Sequence, residues 1–411
     1  MTNSTPSHAA TAGFPVVDGC LQVGGIALPR LAQRVGATPF YAYDRALVDE
    51  RVRYLRHHLP ADIRLHYSVK ANPMPALVDH LARLVDGLDV ASGGELKVAL
   101  DAGMAPSRVS FAGPGKSEAE LVQAVAAEIN LMVESERELA LAIEAGKRIG
   151  VLPRVVLRVN PDFELKSSGM RMGGGAKPFG IDAEVLPELL ARMDLNQVDF
   201  QGFHIFSCSQ SLRPEAIMEA ASNACALALR LAEHAPRAPR QVNLGGGLGI
   251  PYFPGEQRLD LAPIGAHLGS CLQQLRAALP EVRMAIELGR YLVGEAGIYV
   301  ARVIDRKVSR GQVFLVTDGG LHHHLAASGN FGQVIRKNYP VAIGNRMDAA
   351  PGAPVSVVGP LCTPLDLLAE RMALPDAEVG DLVVVFQSGA YGLSASPTAF
   401  LGHPAPREVL V

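Results

Sequence analysis

The sequence predicts an α/β protein, a (β/α)8 barrel joined to a mainly β domain. Three observations predict it. Between about residues 40 and 293, eight short apolar or β-branched runs alternate with amphipathic helical stretches. Short buried strands separated by helices are the pattern of a parallel sheet covered on both faces. Eight such units in the roughly 250 residues typical of a closed barrel complete the match. After residue 294 the alternation stops, and strand-like runs follow one another without long helices.

In chain order, residues 1–13 are small and polar and read as a flexible tail, with no apolar segment of the kind that opens a secretory signal. "GCLQVGGIAL", residues 19–28, reads as a short β-hairpin. It has no role in a barrel, so 14–38 are assigned to the β domain. The barrel is expected over 39–293. A strand-like segment at 39–43 precedes strands at 63–68, 88–91, 108–111, 130–133, 155–159, 199–205, 241–244 and 283–286, with helices such as 76–84, 118–128 and 134–145 between them. The β domain takes 294–411, with strands at 298–304, 313–316, 354–358 and 381–386. The stretches 168–175 and 344–354 carry the glycines and prolines of loops. The segment "KSSGMRMGGGAKPFG", residues 166–180, has few apolar anchors and is expected to be mobile without substrate.

Composition narrows the function. Hydrophobic residues make up 48% of 411, enough for a sizeable core. A net charge of −3 offers no basic surface for nucleic acid, and 5% aromatics without tryptophan offer no stacking platform for single strands. The cysteines (Cys20, Cys208, Cys225, Cys271, Cys362) are five, widely spread and without a CxxC pair, which argues against a disulfide framework or zinc knuckle. No run approaches the roughly 18 apolar residues of a spanning helix. A soluble cytoplasmic protein is expected, without membrane or nucleic-acid partners and without a bound metal.

Five segments carry chemistry. In "HYSVKANP", Lys70 ends an apolar strand. Strand C-termini of a barrel point at the active site, where a desolvated lysine amine can attack an aldehyde. The ordinary reading is a snorkelling lysine at a strand end. In "NLGGGLGIP", consecutive glycines after the seventh strand let backbone N–H groups approach a phosphate. A tight turn is the ordinary alternative, and neither GxGxxG nor a P-loop is present. In "IELGRYLVGEAG", Glu287 and Arg290 end the eighth strand. They could meet a protonated ring nitrogen and a phosphate, or form a loop ion pair. In "GFHIFSCSQ", His204 ends the sixth strand and could stack on a ring, or be a hydrogen-bonded core histidine. Cys362 in "VVGPLCTPLD" follows a strand and Gly-Pro, in a turn rather than inside an element. His322, His323 and His324 read as solvated loop histidines, since no carboxylate spacing supports a metal site.

Together, "YSVKAN", "DVASGGEL", "GFHIFS", "NLGGGLG", "ELGRY" with "GPLCTPLD", and "GAYGLSAS" resemble, in order, the fold-type III pyridoxal-phosphate decarboxylases. That family includes the diaminopimelate, ornithine and biosynthetic arginine enzymes, and its barrel is the alanine-racemase type. The resemblance runs from about Phe40 to the C-terminus. It implies pyridoxal 5'-phosphate as cofactor and Lys70, Cys362, His204 and Glu287 as the catalytic set. Lys70 holds the cofactor as a Schiff base, His204 stacks on its ring, and Glu287 keeps the pyridine nitrogen protonated. Ser207, Gly245, Gly246, Gly247, Gly289, Arg290 and Tyr391 surround the cofactor, mainly at its phosphate. Asp89, Glu95 and Arg158 form the shell around His204 and the lysine. Cys362 reaches the site from the other subunit of a head-to-tail homodimer with shared active sites and protonates the carbanion. A glutamate at the pyridine nitrogen favours decarboxylation, whereas the arginine of alanine racemase disfavours it.

The distal substrate site departs from the diaminopimelate pattern. "DGGLHHHLAASGNFGQVIRKNYP" lacks the Arg-Pro segment, and Arg336 stands outside that context. Thr363-Pro364-Leu365-Asp366 replaces Glu-Ser-Gly-Asp after the cysteine. Arg336, Thr363 and Asp366 are therefore the substrate residues to examine. "CTPLD" and the ending "SASPTAFLGHPAPREVLV" look more like the subgroup associated with exosortase loci and carrier-linked glutamyl decarboxylation. The implied activity is α-decarboxylation of an amino acid, conjugated or carrier-linked. A diaminopimelate or lysine/ornithine-type decarboxylase is the first alternative, and a non-catalytic pyridoxal-phosphate-binding protein the second.

Overall fold

The protein was analysed as a computed structural model, which describes residues 7–10, 13–164, 170–171 and 173–411. Part of the expected tail and part of the expected mobile loop, residues 165–169 and 172, lie outside the described residues. The chain divides into two compact units. One comprises Arg51–Ile250 and Leu259–Gly289, the other Met1–Glu50, Pro251–Arg258 and Arg290–Val411.

The first unit is a closed barrel. Its strands in order are Arg64–Ser68, Gly87–Val90, Val109–Phe111, Asn130–Val133, Arg154–Asn160, Asp199–Ile205, Gln241–Asn243 and Arg283–Leu288. Each pairs parallel with the next, and the eighth closes on the first through Ala285–Arg64 to Leu288–Tyr67. The strands are nearly all buried, as two covered faces require. Helices start where the sequence supplies caps. Ser92, Ser117 and Ser135 each accept from the backbone N–H three residues on, and Ser117 with Glu120 forms a full capping box. A short strand, Ile181–Asp182, pairs parallel with the end of the fifth barrel strand at Val159 and Asn160.

The second unit is built on the strand Gly297–Ser309, whose first half pairs with Leu382–Val385 and whose second half pairs with Gln312–Thr317. Val341–Ile343, Pro354–Val358 and Leu367–Ala373 extend the sheet. The expected start of the barrel at residue 39 is corrected here. Phe40–Tyr43 pairs antiparallel with Gly297–Val300 and parallel with Arg407–Leu410, so it belongs to the β unit. The N-terminal segment forms a small three-stranded sheet followed by the helix Leu28–Val35. Leu21, Val23, Leu28 and Leu31 pack with Phe40, Ile298, Val300 and Val384 in one core, which explains why the N-terminal segment and the C-terminal strands fold as one unit.

The triple histidine is a second correction. His322, His323 and His324 are buried, not solvated. His323 Nε2 lies 2.9 Å from the Pro404 carbonyl, and His324 Nε2 lies 2.9 Å from Ser388 Oγ. Burial pushes all three imidazoles down, to about 4, about 4 and about 3. Among the described residues no group of histidine, cysteine and carboxylate side chains could hold a metal ion.

Candidate functional site

The barrel unit places the expected barrel-side site residues at or just beyond the C-terminal parts of its strands. Lys70 lies in a 3-10 turn, Val69–Ala71, that begins where the first strand ends. Contrary to expectation Lys70 is exposed, so burial is not what prepares its amine. Its Nζ lies 5.9 Å from the Phe206 ring centroid. Glu95, beyond the second strand, accepts the Ala91 N–H at 2.7 Å. Burial raises the Glu95 carboxyl against the pull of that bond and of Lys70.

Glu287 stands on the eighth strand and accepts from Asn243 Nδ2 at 2.7 Å. Its Oε1 is 3.1 Å from His204 Nε2, but the pair lacks hydrogen-bond geometry, and both ring nitrogens of His204 are buried without a partner. Burial pushes the Glu287 carboxyl up. The charges of His204, His66 and Lys70 overcome this and hold it down, at about 2, so it is an ionised carboxylate at neutral pH. Asp89 faces His66 instead of His204, with Oδ1 3.3 Å from Nδ1. Arg158 is the lateral neighbour of His204 on the fifth strand, and its Nη1 donates to Glu134 Oε1 at 2.6 Å. Glu134 also accepts the Gly180 N–H at 3.0 Å. A further buried pair, Lys116 with Glu138, lies alongside, and the Glu134 N–H donates to Glu138 at 2.8 Å.

The glycine turn follows the seventh strand. Gly245 has φ +68°, and a Cβ there would stand 2.1 Å from the Phe206 ring, so no larger residue fits. Gly246 and Gly247 continue the turn, and Gly289 ends the barrel unit one residue before Arg290. Ser207 is buried and its Oγ has no partner.

The remaining expected residues belong to the β unit. Arg290 lies between two aromatic rings, its Cζ 5.4 Å from the Tyr252 centroid and 4.6 Å from that of Tyr391. Its Nη1 donates to Tyr252 Oη at 3.1 Å. Tyr391 holds a φ of +52°, a costly conformation for a residue with a side chain. Cys362 is an exposed thiol. The turn carrying it is pinned by Asp366, whose buried carboxylate accepts the N–H of Leu321 at 2.6 Å and of Leu361 at 2.8 Å. Arg336 donates to the carbonyls of Ser328 at 3.0 Å and Leu367 at 2.6 Å. Arg336 and Asp366, expected at the substrate, thus bind the chain's own backbone. Thr363 is half-buried and its Oγ1 accepts the Leu365 N–H at 3.3 Å.

Sequence reading did not assign His66, Asn243, Glu134 or Tyr252. His66 and Asn243 lie inside segments it had singled out. Strand alternation places residue 66 on the face of residue 68, and that alternation was the available signal. Glu134 and Tyr252 carried none, because their partners are distant in sequence.

A barrel whose strand ends collect an accessible amine, an ionised carboxylate, an imidazole and a glycine turn has the donor set of an enzyme that works through a carbonyl cofactor bearing a phosphate. The family model for the pyridoxal-dependent decarboxylase pyridoxal-binding domain matches residues 45–294. The chain belongs to this family: it is a carbon–carbon lyase that uses pyridoxal phosphate to remove CO2 from an amino acid. It is 39% identical to the L-glutamyl-[BtrI acyl-carrier protein] decarboxylase of Niallia circulans, over 91% of this chain and 88% of that one. It is 32% identical to the diaminopimelate decarboxylase of Aquifex aeolicus, over 96% and 91%. The crystal structure of the M. jannaschii diaminopimelate decarboxylase in complex with L-lysine superposes with a TM-score of 0.88 at 25% identity, covering 98% of this chain and 93% of that one.

The residues present fit the cofactor. Buried polar groups in a folded chain are ordinarily hydrogen-bonded. His204 Nδ1 and Nε2, Ser207 Oγ and Asp89 Oδ2 are buried and unpartnered, all in the barrel unit that also carries Lys70 and the glycine turn. Unmet polar demand beside an amine and an ionised carboxylate is what a polar, phosphorylated aromatic aldehyde would satisfy.

Proposed function

We propose that this chain decarboxylates an amino acid presented in conjugated form, a glutamyl group on a carrier protein, and that it works as a homodimer in the cytoplasm. The observation that carries the substrate reading is Arg336. A free diamino-dicarboxylate substrate needs a cation for its distal carboxylate, and Arg336 spends its guanidinium on the carbonyls of Ser328 and Leu367. The likeness to a carrier-linked glutamyl decarboxylase supports the same reading.

Pyridoxal phosphate, when bound, supplies an aldehyde that condenses with amines and a ring that takes up the electron pair freed when CO2 leaves. The chain's residues do the rest. Lys70 would hold the cofactor through its aldehyde carbon, and its exposure would leave room for a substrate amine beside it. Glu287, held ionised, would accept a hydrogen bond from a protonated ring nitrogen and so favour electron uptake. His204 lends a flat face with two unspent nitrogens. Ser207, the Gly245–Gly247 turn and Arg290 would hold the phosphate, and Tyr252 and Tyr391 fix Arg290 between them. The exposed Cys362 thiol would return a proton to Cα after CO2 departs. Two copies share each site, one supplying Lys70 and the other Cys362. No helix among the described residues is long and apolar enough to cross a membrane. All five cysteines are free thiols, which suits a reducing compartment.

The test is CO2 release from carboxyl-labelled glutamate, free and linked to an acyl-carrier protein, beside diaminopimelate, lysine and ornithine. Release from the carrier-linked form well above all free amino acids is expected. Efficient release from free diaminopimelate would overturn the substrate reading. Cofactor binding without release from any of them would favour a non-catalytic carrier.

A further inference from the structure

The barrel unit buries two carboxylates and two imidazoles together. His66, Asp89, His204 and Glu287 are 6%, 6%, 2% and 8% exposed. Glu287 on the eighth strand is the lateral neighbour of His66 on the first, and Gly87 on the second strand is the neighbour on the other side. His66 Nδ1 stands 3.3 Å from Asp89 Oδ1, and Asp89 Oδ2 has no partner. Two buried carboxylates that interact cannot both stay ionised cheaply unless a cation is placed with them. His204 is turned so that it makes no hydrogen bond to Glu287, and Asn243, which does, is neutral. His204 Nε2, 3.1 Å from Glu287 Oε1, adds its charge on that side, and the ring that stands beside both carboxylates is His66. The room it occupies is shaped for it, since a Cβ on Gly87 would stand 2.7 Å from His66 Nε2.

We propose that His66 is a positioning residue whose imidazolium charge balances the Asp89–Glu287 pair and so keeps Glu287 a carboxylate toward the cofactor ring. This rests on the reading of Glu287 as the partner of the ring nitrogen. The groups that face His66 are Asp89 and Asp86 from the second strand and its approach, and Glu287 from the eighth. Asp86 is already engaged by Arg56 at 2.6 Å and the Leu65 N–H at 2.8 Å. Ser110 on the third strand shares Asp89 with His66. Burial pulls the His66 imidazole down. The charge of Asp89, the hydrogen bond to it, and the charges of Glu287 and Asp86 raise it by more, so the surroundings of His66 favour its charged form despite burial. Burial and the Glu287 charge push Asp89 the opposite way from Glu287, so the proton the pair can take up goes to Asp89 first.

A mere spacer filling the hollow over Gly87 is the competing role, and charge separates the two. The experiment uses the cofactor-loaded protein and follows, against pH, the visible absorbance of the bound cofactor and both kcat and kcat/KM. His66→Gln should raise the pH of the acid limb in both readouts by about one unit and lower kcat about tenfold with little change in KM. The double variant His66→Gln with Asp89→Asn removes one charge of each sign and should return the limb toward its original pH. A limb unmoved in His66→Gln, or no recovery in the double variant, overturns the charge role. Glu287→Gln serves as the control. If it turns over normally when loaded, the Glu287 reading fails and this inference falls with it. If it is impaired while His66→Gln leaves the limb in place, only the His66 inference fails. Should His66→Gln not fold, Asp89→Asn alone reads the same coupling. It relieves Glu287 of a buried like charge and should lower the acid limb, and an unmoved limb overturns the proposal.

Discussion

Glu287 is where the chemistry and the stability of the barrel meet. Its carboxyl is held at about 2 against an ordinary 4.5, because neighbouring imidazoles and Lys70 outweigh burial. A carboxylate with a depressed folded pKa stabilises the fold fully above its unfolded value and loses that contribution as pH falls toward the folded value. The window is therefore from 4.5 down to about 2. Glu287→Gln lacks the effect, so its melting temperature should fall short of wild type by its full amount above about pH 5 and converge on it as pH falls from 4.5 toward about 2. Scanning calorimetry of the cofactor-free protein checks this, and a gap independent of pH would contradict it. At this scale the sequence was informative about residue type and position but not about partners. Lys70 is at its predicted strand end, yet it is exposed where desolvation was expected. Asp89 lies near the site, yet it serves His66. Which atom meets which is decided by strand register around the barrel, and that is not written locally in the chain.

At the scale of elements, the barrel strands were legible because each is a short apolar run bounded by helix caps. Each begins within one residue of the expected start and ends within two of the expected end. Phe40–Tyr43 was misassigned because an apolar run of four looks the same in either unit, and its partners are some 255 and 365 residues away. The histidine triplet was misread because adjacent polar residues look like a loop, while the partners of His323 and His324, Pro404 and Ser388, are distant. The turn that carries Cys362 gives a prediction at this scale. Asp366 meets two backbone N–H groups with two carboxylate oxygens. Asp366→Asn replaces one acceptor with a donor that faces an N–H and should cost about 1–3 kcal/mol. Cys362→Ser, at an exposed position, should melt within about 0.5 kcal/mol of wild type. Urea unfolding of both variants decides it. Wild-type stability in Asp366→Asn would mean that the turn is held by something else.

For the whole molecule, the sequence disclosed two units because its periodicity changes once, near residue 294. It did not disclose that residues 39–50 and 251–258 also fold with the C-terminal unit, to which it had assigned 14–38. That unit rests on contacts between chain ends, such as Leu21 and Leu31 packing with Ile298 and Val384. Cys362 lies in the β unit and Lys70 in the barrel unit, so a site shared between two copies predicts complementation. Mixing inactive Lys70→Ala with inactive Cys362→Ala subunits should restore part of the activity, because some mixed dimers contain one intact site. No restoration, with subunit exchange independently verified, would contradict the shared site. The central claim is that Lys70 holds the cofactor, and it has a direct measurement. The cofactor-loaded protein is reduced with borohydride, digested and mapped by mass spectrometry. The account predicts one pyridoxyl adduct, on the peptide containing Lys70, and none in Lys70→Ala. An adduct on another lysine, such as the buried Lys116, would contradict it.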